Sequence, residues 1–204
     1  MMRAGLPSDV SRETLEKLKY FADLLLKWNP RINLVSRNSL DDVWARHILD
    51  SAQIYELAPH PVNHWVDLGA GGGFPGLVIA MLGLERESPR KVTLVESDVR
   101  KSAFLRTVIR ETGAPAEVVN DRIENIPPLE ADVLSARALA DLPKLLAFTD
   151  RHLSASGTAL FPKGASWEKE LQDAQSQWNF GYRVAKSKTE DGPAILAITG
   201  VSRV

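Results

Sequence analysis

Apolar residues follow two different periods along this chain. Between Ser8 and roughly Leu57 they recur at helical spacing, with Leu15, Leu18, Ala22 and Leu25 on one stripe. Ser8 or Ser11 is the candidate cap, but Ser11-Arg12-Glu13-Thr14-Leu15 has no strict capping box, so the start is open by a turn. Trp28-Asn29-Pro30 predicts the end, because a proline disfavours helix at the residue before it. A second helix is predicted from about Ser39 to Leu57, with Asp41 and Asp42 at its electropositive start.

From His64 onward short apolar runs dominate, at 65–68, 92–95, 116–119, 132–135 and 158–161. Amphipathic stretches at 99–111 and 141–153 separate some of them. Strands alternating with helices indicate βαβ units and a mostly parallel sheet. The runs at 182–185 and 194–198 have only 186–193 between them, which suits an antiparallel hairpin better than a crossover helix. The expectation is an α/β, Rossmann-like chain with an antiparallel C-terminal strand. Residues 1–60 form an N-terminal helical extension and residues 61–204 the sheet domain. No internal repeat or low-complexity tract interrupts it.

Composition excludes more than it specifies. A chain of 204 residues with 44% hydrophobic and 25% charged residues has ordinary globular values. No apolar run approaches the roughly 18 residues that cross a bilayer, and the first ten residues lack the apolar core of an export signal. No membrane association and a cytoplasmic location are therefore expected. With no cysteine, disulfides, Cys-ligated zinc, iron–sulfur clusters and thiolate nucleophiles are excluded. His47, His60, His64 and His152 form no metal-ligand spacing, so no metal is expected. A formal net charge of -1 gives no global pull toward nucleic acid; a positive surface would have to be local.

The densest signal is Asp67-Leu68-Gly69-Ala70-Gly71-Gly72-Gly73-Phe74-Pro75-Gly76, directly after the first predicted strand. Glycines let a backbone turn sharply and approach a ligand, and Pro75 suits the first position of a helix whose free N–H groups can hold an anion. The dinucleotide fingerprint GxGxxG would need glycine where Phe74 stands, which disfavours a nicotinamide dehydrogenase. The acidic-x-Gly-x-Gly-x-Gly pattern resembles motif I of class I methyltransferases, whose cofactor is S-adenosylmethionine. Glu96 ends the second predicted strand, where a carboxylate can accept both hydroxyls of a ribose. Asn120-Asp121-Arg122-Ile123-Glu124 ends the third, placing an adenine against Ile123. The bland alternatives are a turn glycine cluster and a solvated acid.

Over nearly its whole length the chain resembles the small-subunit rRNA guanine-N7 methyltransferase family, the RsmG type once called glucose-inhibited division protein B. The matching residues are Trp28-Asn29, Ile32-Asn33-Leu34-Val35-Ser36, Arg46-His47-Ile48-Leu49-Asp50-Ser51 and the glycine loop through Gly76. Lys101-Ser102-Ala103-Phe104-Leu105, Arg122-Ile123-Glu124, Ser135-Ala136-Arg137-Ala138 and Lys163-Gly164 complete the set. The resemblance implies cofactor contacts at Gly69, Phe74, Ile123, Glu124 and Arg137, and Glu96 matches the acidic ribose position; Asp67 and Gly71 join them from the loop itself. Ser135-Ala136-Arg137-Ala138 departs from the Ser-Arg-Ala-Phe of many relatives. The implied reaction is methylation of N7 of one guanine in the 530 loop of 16S rRNA. The partner is 16S rRNA or the 30S subunit, and the enzyme is expected to be a monomer.

Methyl transfer from a sulfonium is an in-line displacement, and guanine N7 carries a free lone pair, so positioning and desolvation suffice and no catalytic acid or base is nominated. Without cysteine, carbon-5 methylation of pyrimidines is disfavoured, and the Asn/Asp-Pro-Pro-Tyr type motif of adenine-amino methylation is absent after the fourth strand. Arg46, His47 and Lys163 are the candidate substrate contacts; the plain alternative is an Arg46–Asp50 surface pair with His47 packed between domains. Arg100, Lys101, Arg106 and Arg110 add positive charge to one helical stretch, while Trp28, Trp44 and Tyr20 suit a core better than a stacking platform. Competing functions are methylation of a small molecule or protein, and a non-catalytic S-adenosylmethionine-binding module.

Overall fold

The computed structural model describes residues 5–204. Seven strands form one sheet: β1 His64–Leu68, β2 Lys91–Val95, β3 Ala116–Val119, β4 Ala131–Ser135, β5 Leu153–Lys163, β6 Trp178–Lys186 and β7 Ala194–Arg203. Their spatial order is β3-β2-β1-β4-β5-β7-β6. The first five run parallel, and β7 is antiparallel to both β5 and β6. The order reverses between β1 and β4, and at such a switch point the carboxyl ends of the strands open a crevice for ligands.

Alternation along the strands supplies two cores. Trp65, Val133 and Leu160 face one side, with helices α1 Arg12–Ile32, α2 Asp50–Leu57, α3 Gly76–Gly83 and α4 Val99–Thr112. Val66, Leu134 and Phe161 face the other, against α5 Leu142–His152 and α6 Trp167–Gln175. All eight residues of α3 are buried, which is why Gly76 to Gly83 carries no polar side chain. Leu18, Phe21 and Leu25 of α1 pack into the same core as Leu77, Ile79 and Phe104, at about 1.5–3 kcal/mol for each fully buried large side chain. The N-terminal helices thus share a core with the sheet.

The ends of α1 differ from expectation in an instructive way. Ser11 is the cap, its Oγ accepting from the Thr14 amide at 3.0 Å. The acceptor missing from the local sequence is Glu85, whose Oε1 takes the Ser11 amide at 3.1 Å and the Thr14 hydroxyl at 2.7 Å. A residue 74 positions away completes the cap. At the other end α1 continues through Pro30 to Ile32. Pro30 is exposed and lies in the last turn, so its ring points to solvent and deletes only one intrahelical bond. Asn33 at φ 49 then closes the helix, its amide bonded to the Asn29 carbonyl at 3.0 Å.

The single helix expected from Ser39 to Leu57 is three pieces. A 3₁₀ segment Arg37–Asp42 leads into a π-wound turn Trp44–Leu49 and then α2. The Ser51 hydroxyl donates to the His47 carbonyl at 2.6 Å, and the Asp50 amide reaches both Ala45 and His47 carbonyls. This wider winding replaces the regular i, i+3 and i+4 spacing of Arg46, His47 and Asp50, and all three still line one cavity. Helix α6 was not foreseen, because only Leu171 and Ala174 of its nine residues are buried and the pattern is faint.

Candidate functional site

At the end of β1, Asp67 is fully buried. Its Oδ2 accepts the Gly76 amide at 3.0 Å and its Oδ1 accepts the Ser135 hydroxyl at 2.8 Å. Ser135 Oγ in turn accepts from Trp65 Nε1 at 2.9 Å. Burial lifts the Asp67 carboxyl to about 7, against the opposing pull of Ser135, the Gly76 amide and the Arg137 charge. Asp67 lines neither cavity described below; it holds the loop's exit to β4 from beneath. Gly69 and Gly73 adopt φ +66 and +90, left-handed conformations that favour glycine, and a Cβ on Gly69 would lie 2.6 Å from Leu139.

Glu96 fastens the same loop to the end of β2. Oε2 accepts the Gly71 amide at 2.9 Å and Oε1 the Asp98 amide at 2.8 Å. Two of the four lone-pair sites of the carboxylate remain for a ligand. Beside it lies a cavity of about 420 Å³ walled by Gly69, Gly71, Glu96, Ile123, Glu124 and Phe148. Ile123 is fixed there by its carbonyl, which accepts from His152 Nε2 at 3.1 Å. A carboxylate for a diol, an apolar wall for a purine and a side-chain-free loop for the linker fit an adenosyl group. Strand order alone brings together Gly69, Gly71, Glu96, Ile123 and Glu124, all expected from the sequence.

A second cavity of about 570 Å³ shares Gly69, Gly71, Lys101 and Ala138 with the first. Arg46, His47, Asp50, Phe74, Arg137 and Lys163 contribute to its lining. Phe74 is sandwiched between the rings of Phe21 at 4.9 Å and His47 at 4.8 Å, with the Arg137 guanidinium 5.2 Å from its centroid. His47 Nε2 lies 2.9 Å from Ser39 Oγ, and the Ser39 hydroxyl donates to the Ser36 carbonyl at 2.8 Å. With the imidazole proton on Nε2, Ser39 Oγ serves both contacts, accepting from His47 while donating to Ser36. Burial depresses the His47 pKa to about 3, aided by the charges of Arg137 and Arg46, so the ring is neutral at physiological pH.

Arg137 reaches this second cavity, not the adenosyl one. Its Nη1 donates to the Arg46 carbonyl at 3.2 Å and to Asp50 Oδ2 at 3.4 Å, and burial pulls its pKa down. Lys163 is held by Glu170 at 2.6 Å and the Ala140 carbonyl at 3.1 Å. Arg46 pairs with Glu190 at 2.8 Å, so the Arg46–Asp50 pair considered from the sequence does not form: the π turn directs Asp50 to Arg137.

Lys101, third residue of α4 and at the junction of the two cavities, belongs to the basic stretch and to the family string Lys101-Ser102-Ala103-Phe104-Leu105, neither of which names it as a site residue. Ser39 and Glu190 carry no sequence signal, and Ser135 only its place in the family string Ser135-Ala136-Arg137-Ala138. Arg100, Arg106 and Arg110 line neither cavity; they contact Asp98, the Val118 carbonyl and Glu111. Trp28 packs on Phe104 at 5.7 Å, Trp44 is partly buried against the core, and Tyr20 is exposed.

The family described as rRNA small subunit methyltransferase G (GidB) matches residues 14–192. The chain belongs to this family. Members designated ribosomal RNA small subunit methyltransferase G include that of Ruegeria pomeroyi, 59% identical and covering 96% of each chain. That of Paracoccus denitrificans is 50% identical over 94% of this chain and 97% of its own. The fold recurs in more distant structures. Ribosomal protein L11 methylase from Lactobacillus delbrueckii subsp. bulgaricus has a TM-score of 0.61 at 15% identity, covering 76% of this chain and 78% of its own. The S-adenosylhomocysteine-bound Podospora anserina methyltransferase PaMTH1 gives 0.63 at 11% identity, over 94% and 88%. The family resemblance and the Rossmann-like methyltransferase fold read from the sequence are borne out.

Proposed function

We propose that the chain transfers the methyl group of S-adenosylmethionine to N7 of a guanine in the 530 loop of 16S rRNA. The observation that carries this reading is the junction at Gly69, Gly71 and Lys101, where an adenosyl-shaped cavity meets a second one lined by Arg46, Arg137 and Lys163. When bound, the cofactor supplies an electrophilic methyl on a sulfonium. Glu96 accepts the ribose hydroxyls, Ile123 and Glu124 flank the adenine, and Gly69, Gly71 and Phe74 shape the passage for the amino-acid arm. Asp67 acts from below, holding Gly76 and Ser135. Arg137 lies beside the transfer point and steadies Asp50 and the Arg46 backbone.

Guanine N7 needs no deprotonation, so the protein's task is to hold the base in line and exclude water. Neutral His47, stacked on Phe74, presents no positive charge to a ring that becomes cationic on methylation. Arg46, His47 and Lys163 belong to the RNA side. Within the N-terminal extension, residues 34–50 form one wall of the substrate cavity, and the enzyme works as a cytoplasmic monomer. The test is to incubate the protein with methyl-labelled S-adenosylmethionine and with naked rRNA or 30S particles from cells lacking it. Label recovered as 7-methylguanine in small-subunit rRNA is expected. Cofactor binding with no transfer to either RNA form would make it a binding module.

A further inference from the structure

The turn between β6 and β7, residues 187–193, meets the π turn and α2 through a set of polar contacts. The Lys188 amide donates to Gln53 Oε1 at 2.8 Å, and Gln53 Nε2 reaches Ser187 and Thr189 at 3.4 Å. The Thr189 hydroxyl donates to Asp50 Oδ1 at 3.2 Å, and Glu190 meets Arg46. Residues 187–192 contribute no buried apolar side chain, and Gly192 stands at φ +99, where a Cβ would lie 3.7 Å from that of Ala165. A seam of this kind is held by direct hydrogen bonds that water can replace one for one, so it opens at small cost. Ser187, Thr189, Glu190 and Pro193 meanwhile form one wall of the 570 Å³ cavity.

Of the cations on that cavity, Lys101 stands at the junction with the adenosyl cavity, while Arg137 and Lys163, whose own side chains are 19% and 8% exposed, are committed to Asp50 and Glu170. The Arg46–Glu190 pair is different: its side chains are 51% and 43% exposed. Any guanosine entering from an RNA strand brings a phosphodiester on each side. An acidic tip, Glu190-Asp191, repels them, while the Arg46 guanidinium donates equally well to carboxylate and phosphate oxygens. Resting on the RNA-methyltransferase reading above, we infer that Arg46 is a backbone-phosphate subsite, that Glu190 occupies it in the RNA-free protein, and that residues 187–193 are a strap released when a phosphodiester takes Glu190's place.

An exposed ion pair changes an equilibrium constant by no more than about fivefold, which sets the size of the effect. Binding of a fluorescently labelled, guanine-containing RNA hairpin is measured by anisotropy at fixed salt with S-adenosylhomocysteine present. Glu190→Gln is expected to bind about two- to fivefold more tightly than the unaltered protein. Asp191→Asn removes the same charge next door, where no ion pair is made, and is expected to change affinity by less than half as much. Arg46→Ala is expected to weaken binding and to abolish the gain from Glu190→Gln in the double variant. Equal gains from Glu190→Gln and Asp191→Asn, or a gain that persists without Arg46, would reduce the strap to general electrostatics and overturn the inference. Weaker binding by Glu190→Gln would overturn it too, assigning Glu190 to the N–H edge of the base. RNA binding with any of these patterns removes the strap alone; absence of RNA binding by every protein in the set removes the reading on which it rests.

Discussion

Ser135→Ala removes one oxygen from a fully enclosed polar chain. Trp65 Nε1 donates to Ser135 Oγ at 2.9 Å, and the Ser135 hydroxyl donates to Asp67 Oδ1 at 2.8 Å. All three residues are 0% exposed, so no solvent replaces what is lost. An orphaned buried indole N–H costs about 1–3 kcal/mol, and a lost hydrogen bond to a carboxylate about 1.5–3 kcal/mol. The sum is roughly 2.5–6 kcal/mol, a large part of the 5–15 kcal/mol of a typical domain. Asp67 also loses the largest influence lowering its pKa, so it protonates at higher pH and its grip on the Gly76 amide weakens. Urea unfolding monitored by tryptophan fluorescence gives the stability, and calorimetric titration with S-adenosylhomocysteine gives the affinity. Adding Trp65→Phe to the variant removes the orphaned donor, so the two losses should combine to less than their sum. A stability change below about 0.5 kcal/mol with additive behaviour would show that the chain does not couple β1 to β4.

Three further outcomes follow from the geometry. Glu96→Ala strips acceptors from the Gly71 and Asp98 amides and from the ribose; affinity for S-adenosylhomocysteine should fall by about ten- to a hundredfold, as expected for hydrogen bonds to a charge, and an unchanged calorimetric titration would place the ribose elsewhere. His47 has a folded pKa of about 3 against an ordinary 6.5, so its contribution is complete above pH 6.5 and is lost as pH falls toward 3. Between pH 6.5 and pH 5 it should account for about 2 kcal/mol of acid destabilisation, a slope that flattens in His47→Asn; parallel unfolding curves for the two proteins would refute this. Glu85→Ala should cost about 1 kcal/mol, the usual worth of a helix cap, while leaving cofactor affinity unchanged; a coupled loss of affinity would mean that the α1 start reports to the site.

The cofactor half of the site was legible because a parallel sheet converts chain order into position. The residues after β1, β2 and β3 must meet at one edge, and Gly69, Glu96 and Ile123 do so whatever their separation in sequence. The substrate half was less so. A regular helix would set Arg46, His47 and Asp50 at i, i+1 and i+4, but Trp44–Leu49 is π-wound, and local periodicity does not register it. Glu85 and Glu190 complete contacts with Ser11 and Arg46 across 74 and 144 positions, distances at which charge patterning carries no information. Asp67 was assigned to the ligand because it opens the glycine motif; its complete burial shows that an acid at that position can serve the backbone instead.

The rings of Phe21, Phe74 and His47 join three separate parts of the chain into one stack beneath the substrate cavity. Damage at any of the three tilts the same platform. In a genetic screen for loss of methylation, inactivating alleles should therefore not cluster around the glycine motif alone. They should recur among apolar codons of the first fifty positions, in proteins that still accumulate and still capture the cofactor.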